Sequence, residues 1–333
     1  MRRERRSSHS LPLFTKGCVV VSSKCKARIT LWERIRLASK RDKYLLLMSI
    51  PAIVFYFVFH YLPMGGIFIA FRDYKPGMEV FSISKWVGWR WFNKFFSSYF
   101  AVRIVRNTFL LALYSLLWGF PIPIIFAICV NEIGNMRLRR FVQTSSYLPY
   151  FISTVVMVGI MTNFLNPNNG LIPVFLKRFG IELGNPMMNP KAFRTLYVAS
   201  GVWQGFGFNS IIYIAAIVGI DPSLYESARI DGITKFKEVW YITLPSIIQT
   251  IIILFILSLG NIMNVGFEKV YLMYSPAVYE TADVISTYVY RSGIESSNYG
   301  FATAVGIFNS VINFLFVFVA NMICRKVTNA SLW

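Results

Sequence analysis

The chain has 333 residues, of which 55% are hydrophobic and 17% aromatic, and only 15% are charged. A soluble domain keeps about a quarter of its residues charged, so this shortage, together with uncharged runs of twenty residues or more, excludes an ordinary soluble fold and points to an integral membrane protein. The net charge of +19 sits in the amino-terminal tail and between apolar runs, which argues against a compact nucleic-acid-binding domain.

Residues 1–43 hold thirteen Lys or Arg against Glu4, Glu33 and Asp42 and read as a basic cytoplasmic tail. The apolar run Gly17–Val21 is too short for a secretory signal and no cleavage-type sequence follows it, which also removes a lipobox at Cys18. Residues 1–28 read as disordered, and Trp32–Lys43 as a segment able to lie as an interfacial helix on anionic lipid. Cys18 and Cys25 lie in this tail, while Cys129 and Cys324 end apolar runs, so neither a disulfide framework nor a zinc site is indicated.

Six spans follow, in a membrane domain over 44–324. The first is Tyr44–Pro63, twenty residues that match a hydrocarbon core of about 30 Å. The aromatic and basic segment Arg72–Arg103, with Trp86, Trp89, Trp91, Phe92, Phe95 and Phe96, reads as a loop along the outer interface. The second span is about Asn107–Val130, kinked by Pro121-x-Pro123, whose missing donors neighbouring helices or cavity water must offset. A short basic loop leads to a third span at about Phe141–Phe164, whose hydroxyls at Thr144, Ser145, Ser146, Ser153 and Thr154 suit helix–helix packing. After an Asn-, Pro- and Gly-rich external loop, the fourth span runs over Thr195–Ile220 and the fifth over about Ser246–Phe267. A loop from Lys269 to Asn298 precedes the sixth span, Tyr299–Cys324, and a cytoplasmic tail over 325–333.

With both termini on one side, that side carries 21 Lys and Arg and the other 13, which makes it the cytoplasm by the positive-inside rule. The polar loop at 218–245, between the fourth and fifth spans, is then cytoplasmic. Within it Asp221 can cap a helix that Pro222 opens, and Gly232 stands where the chain must turn left-handed. The enclosed helix, roughly 15 Å long, is too short and too charged to cross a bilayer and reads as a rigid knob for a soluble partner.

Chemistry of other kinds is missing. There are two histidines, no phosphate-binding GxxxxGK[ST] loop and no HExxH, so neither catalysis nor ATP binding is indicated in this chain. The spans are nearly free of Asp, Glu, Lys and Arg, which disfavours an ion-coupled relay.

The spacing Glu226-Ser227-Ala228-x-x-Asp231-Gly232, nine residues, then Ile242-x-Leu244-Pro245 resembles the EAA loop of binding-protein-dependent ABC importer permeases. It departs from the usual form at Ser227, commonly Ala, and at Ile233. Phe71–Tyr74, Arg106-Asn107-Thr108, Asn131-Glu132-Ile133, Tyr147-Leu148-Pro149 and Ala282–Val289 are similar to the LplB-like subgroup that imports complex oligosaccharides; the resemblance covers Trp32 to Trp333.

The resemblance implies the type I importer permease fold, all-α with six transmembrane helices and a cytoplasmic coupling helix between the fourth and fifth. Glu226 would contact the ATPase, Ala228 would allow close approach, and Gly232 would turn the chain; Ser227, Asp231, Leu244 and Pro245 complete the coupling set. The implied partners are a second, homologous permease, two copies of a cytoplasmic ATPase that binds ATP and Mg, and an external, lipid-anchored binding protein. The implied place is a bacterial plasma membrane. Similarity to maltose-type permeases suggests a cargo cavity near mid-membrane. Trp203, Gln204, Asn209 and Tyr213, with Asn261, Asn264 and Glu268, have the chemistry to bind sugar there, and each suits helix packing equally well. The competing classes are a stand-alone secondary transporter or channel for a polar solute, and an intramembrane enzyme. The outer basic excess raises acidic cargo, such as uronate-bearing oligosaccharides, and also suits lipid headgroups.

Overall fold

The computed structural model describes residues 43–77, 84–182 and 184–328; the readings on the tail before Lys43 and on residues 329–333 lie outside these. Among the described residues, five helices are long and apolar enough to cross a membrane, and a helix pair bent by 97° makes a sixth crossing if it counts as one span. The chain divides into two compact units at Met64. In the first, the helix Lys43–Tyr56 passes into a π-helical turn, Phe57–Tyr61, and ends at Leu62–Met64. The apolar helical run extends over Leu46–Phe71, eight residues beyond the expected Pro63.

In the second unit the segment read as an interfacial loop is folded. Strands Arg72–Asp73 and Lys85–Trp86 pair antiparallel, and the helix Arg90–Phe96 buries Trp91, Phe92 and Phe95. Trp91 gains a partner inside, its Nε1 donating to the carbonyl of Arg72 at 2.9 Å, so these rings serve the core while Trp86 and Trp89 stay exposed.

The second span covers Tyr99–Asn131 as two helices, Tyr99–Gly119 and Pro121–Asn131, joined at Phe120. The proline pair breaks the run as its missing donors require, and Pro121 occupies the first helical position, where an N–H is not needed. The third span is a correction to the continuous helix expected at 141–164. Met136–Tyr147 leads into a tight turn at Leu148–Phe151, and Thr154–Phe164 departs at 97°. Pro149 removes a donor, Ile152 is extended, and the Ser153 hydroxyl accepts from the N–H of Val156 at 3.4 Å to start the new helix.

The fourth span, Pro190–Val218, begins five residues before the expected Thr195 because Asn189 caps it, accepting from the N–H of Lys191 at 3.0 Å. At Gly207 a side-chain carbon would overlap the backbone of Ser146, so only glycine lets these two helices approach. The fifth span starts at Lys235, inside the polar loop, and stops at Leu259. It absorbs Pro245 by widening beforehand into a π-helical turn at Val239–Thr243, which relieves the clash a proline ring makes with the preceding turn.

The stretch read as a loop from Lys269 to Asn298 is instead part of the core. Short helices at Phe267–Met273, Tyr279–Ala282 and Ile285–Tyr290, with the turns between them, place Val270, Val278, Ala282 and Val284 fully inside. The main core joins them to Phe95, Ile104, Leu111 and Phe193, and to Phe301 and Val305 of the last span, Tyr299–Thr328. A second cluster, at the polar-loop end of the helices, packs Ile124, Ala127 and Val130 on Tyr213, Ile217 and Ile247.

Candidate functional site

The polar loop folds as its punctuation dictates. Asp221 accepts from the N–H of Ser223 at 2.9 Å, the helix runs over Pro222–Ile230, and Gly232 adopts φ +71°. The hydrogen bond to Asp221 from Ser223 holds its carboxyl below the usual range, so it caps as an anion, favourable at a helix start. Closure comes from the N–H of Ile233 on the carbonyl of Ala228 at 3.0 Å and of Asp231 on Ser227 at 3.0 Å. Ala228 is 5% exposed and faces the protein, while Glu226, Ser227, Asp231 and Gly232 are exposed. Tyr225 shares a hydrogen bond of 3.1 Å with Thr243, seating the helix against the start of the fifth span. Leu244 and Pro245 sit just past the π turn and continue that span. The helix thus offers the carboxylate of Glu226 and the apolar side chains of Leu224 and Ile230 outward on a short rigid element.

Charges that sequence reasoning passed over anchor this loop. Lys235 lies 3.1 Å from Glu132 and 3.0 Å from Glu238, and Arg229 lies 4.0 Å from Glu238. The only signal was Glu132, which stands in the Asn131-Glu132-Ile133 motif.

A cavity of about 670 Å³ opens between the second, fourth and fifth spans. Its wall includes Ser115, Gly119, Phe120 and Pro123 from the second span, Tyr197, Phe208, Asn209 and Tyr213 from the fourth, Ser258 near the end of the fifth, and Asn261 and Asn264 just beyond it. Of the predicted cargo residues, Asn209, Tyr213, Asn261 and Asn264 therefore converge. Asn264 is fixed by amides of Asn309 at 3.0 Å and Asn313 at 3.2 Å on its oxygen, while its own amide donates to Asn261 at 3.2 Å. Three residues lie elsewhere. Gln204 donates to the carbonyl of Ile152 at 2.6 Å, satisfying the backbone freed at the bend of the third span. Trp203 lines a separate apolar cleft with Trp118 and Tyr114, and Glu268 is exposed on the helix Phe267–Met273.

A further cleft, of about 470 Å³, lies at the opening turns of the second and fourth spans, lined by Arg103, Arg106, Asn107, Arg194 and Glu280. Beside it Asp283, its side chain 1% exposed, receives Arg291 at 2.9 Å and lies 3.8 Å from Arg103. Asn107 accepts from Arg194 at 2.9 Å and donates to the carbonyls of Glu280 and Asp283 at 2.8 and 3.1 Å. Lys269, 9% exposed, donates to the carbonyl of Tyr197 at 2.9 Å and stands over its ring, and burial pushes its pKa down to about 8. Among the described residues no group of His, Cys, Asp and Glu is arranged to hold a metal.

Residues 119–329 match the sequence model of a family described as the binding-protein-dependent transport system inner membrane component. The protein LplB of Bacillus subtilis (strain 168) is 38% identical over 296 residues, covering 89% of this chain and 93% of that protein. The polygalacturonan/rhamnogalacturonan transport system permease protein YteP of the same bacterium is 37% identical over 294 residues, covering 88% and 91%. Among solved structures, a chain of the bacterial alginate ABC transporter in complex with alginate pentasaccharide-bound periplasmic protein superposes with a TM-score of 0.83 at 41% identity. That match covers 90% of this chain and all of that one, 100%.

Proposed function

The chain belongs to the family of binding-protein-dependent transport system inner membrane components, and from that premise we propose that it is the permease subunit of an ATP-driven importer of oligosaccharides. It forms half of the translocation path, and the other half is a second, homologous permease. Two copies of a cytoplasmic ATPase bind ATP and Mg, and an external, lipid-anchored binding protein delivers the sugar. The chain resides in a bacterial plasma membrane with both termini in the cytoplasm.

The observation that carries this reading is the capped helix Pro222–Ile230, held between the fourth and fifth spans with Glu226 outward and Ala228 against the protein. As the coupling helix it would sit in a cleft of the ATPase, with Glu226 meeting a basic group there and Ser227 lying beside the contact. Closure of the ATPase dimer on ATP displaces this helix, the spans rock outward, and sugar enters the cavity lined by Asn209, Tyr213, Asn261 and Asn264. Amides and aromatic rings are the groups that hold sugar hydroxyls and ring faces. In the assembled complex, Glu226→Ala should abolish binding-protein-stimulated ATP hydrolysis and uptake while cargo still binds the external protein; undiminished uptake would sink the assignment.

A sharper cargo reading, acidic oligosaccharide, is favoured by the cleft with Arg103, Arg106 and Arg194, where three guanidiniums stand at the positive ends of two long helices. The relatives that carry polygalacturonan and alginate support it. Uptake of an oligogalacturonate should fall with salt more steeply than uptake of its methyl ester, and equal salt dependence would remove this reading.

A further inference from the structure

The loop helix is joined to two walls of the cavity by a run of alternating charges, Glu132, Lys235, Glu238 and Arg229. Three elements contribute to it. Glu132 ends the helix Pro121–Asn131 of the second span, Arg229 lies in the last turn of the loop helix, and Lys235 and Glu238 open the fifth span. Exposed ion pairs contribute little by themselves. Glu238 changes the weighing, because its side chain is 3% exposed and a carboxylate withdrawn from water requires cations beside it. Lys235, 3.0 Å away, is its near partner, and Arg229 stands off at 4.0 Å. Lys235 also reaches Glu132, so among the described ion pairs it carries the polar link to the second span, beside the apolar packing of Ile247 on Ile124, Ala127 and Val130.

What lies beyond Glu132 gives the bridge its use. The helix Pro121–Asn131 is a rigid lever of about 16 Å. Its far end is Phe120 and Pro123, which wall the cavity, and Pro121 and Pro123 remove two backbone donors where it joins Tyr99–Gly119. The fifth span, which Glu238 opens, reaches the same cavity at Leu254 and Ser258.

We propose that Lys235 is a positioning residue for coupling. It yokes the loop helix and the fifth span to the inner end of the second span, so that displacement at the ATPase contact moves the cavity wall at Phe120. This rests on the coupling role assigned above to the loop helix.

The test uses the full importer in lipid vesicles, reading sugar imported per ATP hydrolysed with cargo-loaded binding protein. Lys235→Met should lower that ratio about fivefold or more, Lys235→Arg should hold it within about twofold, and Glu132→Gln should lower it about as far as Lys235→Met. In the Lys235→Met background, Glu132→Gln should add nothing, because the pair acts as one unit. An unchanged ratio in Lys235→Met, or effects of the two substitutions that multiply, would overturn the yoke. Loss of the ATPase from purified Lys235→Met complexes would overturn it too, by assigning Lys235 to assembly, and Glu132→Gln then serves as an independent check on the ratio. A wild-type complex without stimulated hydrolysis removes the coupling reading itself, before any variant is compared.

Discussion

Asp283 and Glu238 are both carboxylates buried with two cations, and their surroundings differ in a way that separates holding from moving. Asp283 is enclosed by Arg291 and Arg103, receives the hydroxyl of Thr287 at 3.2 Å, and follows a backbone that Asn107 clamps from 176 residues away in sequence. Both of its arginines are about two-thirds buried, with side chains 31% and 33% exposed. Glu238 is equally hidden, yet its cations reach solvent, Lys235 at 60% and Arg229 at 63% exposure, and one of them is shared with Glu132. A network enclosed on most sides has few alternative partners, so it fixes geometry. A network whose cations touch water can exchange partners at small cost, which suits the coupling role proposed for the loop helix.

The largest expected effect breaks the enclosed knot. Asp283→Asn strands two arginines beside an uncharged amide, and the cost should be about 3 kcal/mol or more, seen as a drop in the unfolding temperature of the purified complex. Glu238→Gln should cost less, about 1 kcal/mol, because Lys235 keeps Glu132 and both cations can turn to water. Its uptake should nevertheless fall further than its stability. A larger stability loss in Glu238→Gln than in Asp283→Asn would reverse the comparison. Gly232→Ala should cost roughly 1 kcal/mol, since φ +71° is open to glycine and strained for alanine, and the same unfolding scan reads it.

A pH effect concerns Lys269, a buried cation with no carboxylate within ion-pair distance among the described residues. Its folded pKa, about 8, lies below the ordinary 10.5, so between these values the unfolded chain binds the extra proton. Stability should therefore rise as pH climbs from about 8 toward 10.5, and stay level with respect to this group below about 8. Lys269→Met should remove that rise, and an identical pH profile in the variant would show that Lys269 is not its source.

Much of this was written locally in the chain. Run lengths gave the membrane spans, and Asp221, Pro222 and Gly232 gave the loop helix with its ends, because caps and left-handed turns act over a few residues. The bend in the third span was visible only as Pro149 and Ser153 inside a run read as one span. Short helices at 267–290 were hidden because four to seven residues are too few to show a period, so polar punctuation read as loop. Convergence was harder still. Asn209 and Asn264 meet at one cavity and Gln204, five residues earlier on the same helix, does not, because it turns to the open carbonyl of Ile152. No local pattern announces that competition. The motifs around Asn107 and Asp283 were noticed separately for their family resemblance, and the fold shows why they occur together, since each supplies the other's hydrogen bonds.

The π-helical turn at Val239–Thr243 amounts to one surplus residue in an otherwise α-helical span. Each residue of an α-helix advances the azimuth by about 100°, so deleting Tyr241 would rewind the turn and rotate Lys235–Glu238 by about that angle relative to the rest of the fifth span. Lys235 and Glu238 would then leave their register with Glu132 and Arg229. The azimuth of the charges that anchor the loop helix is set by a single extra amino acid.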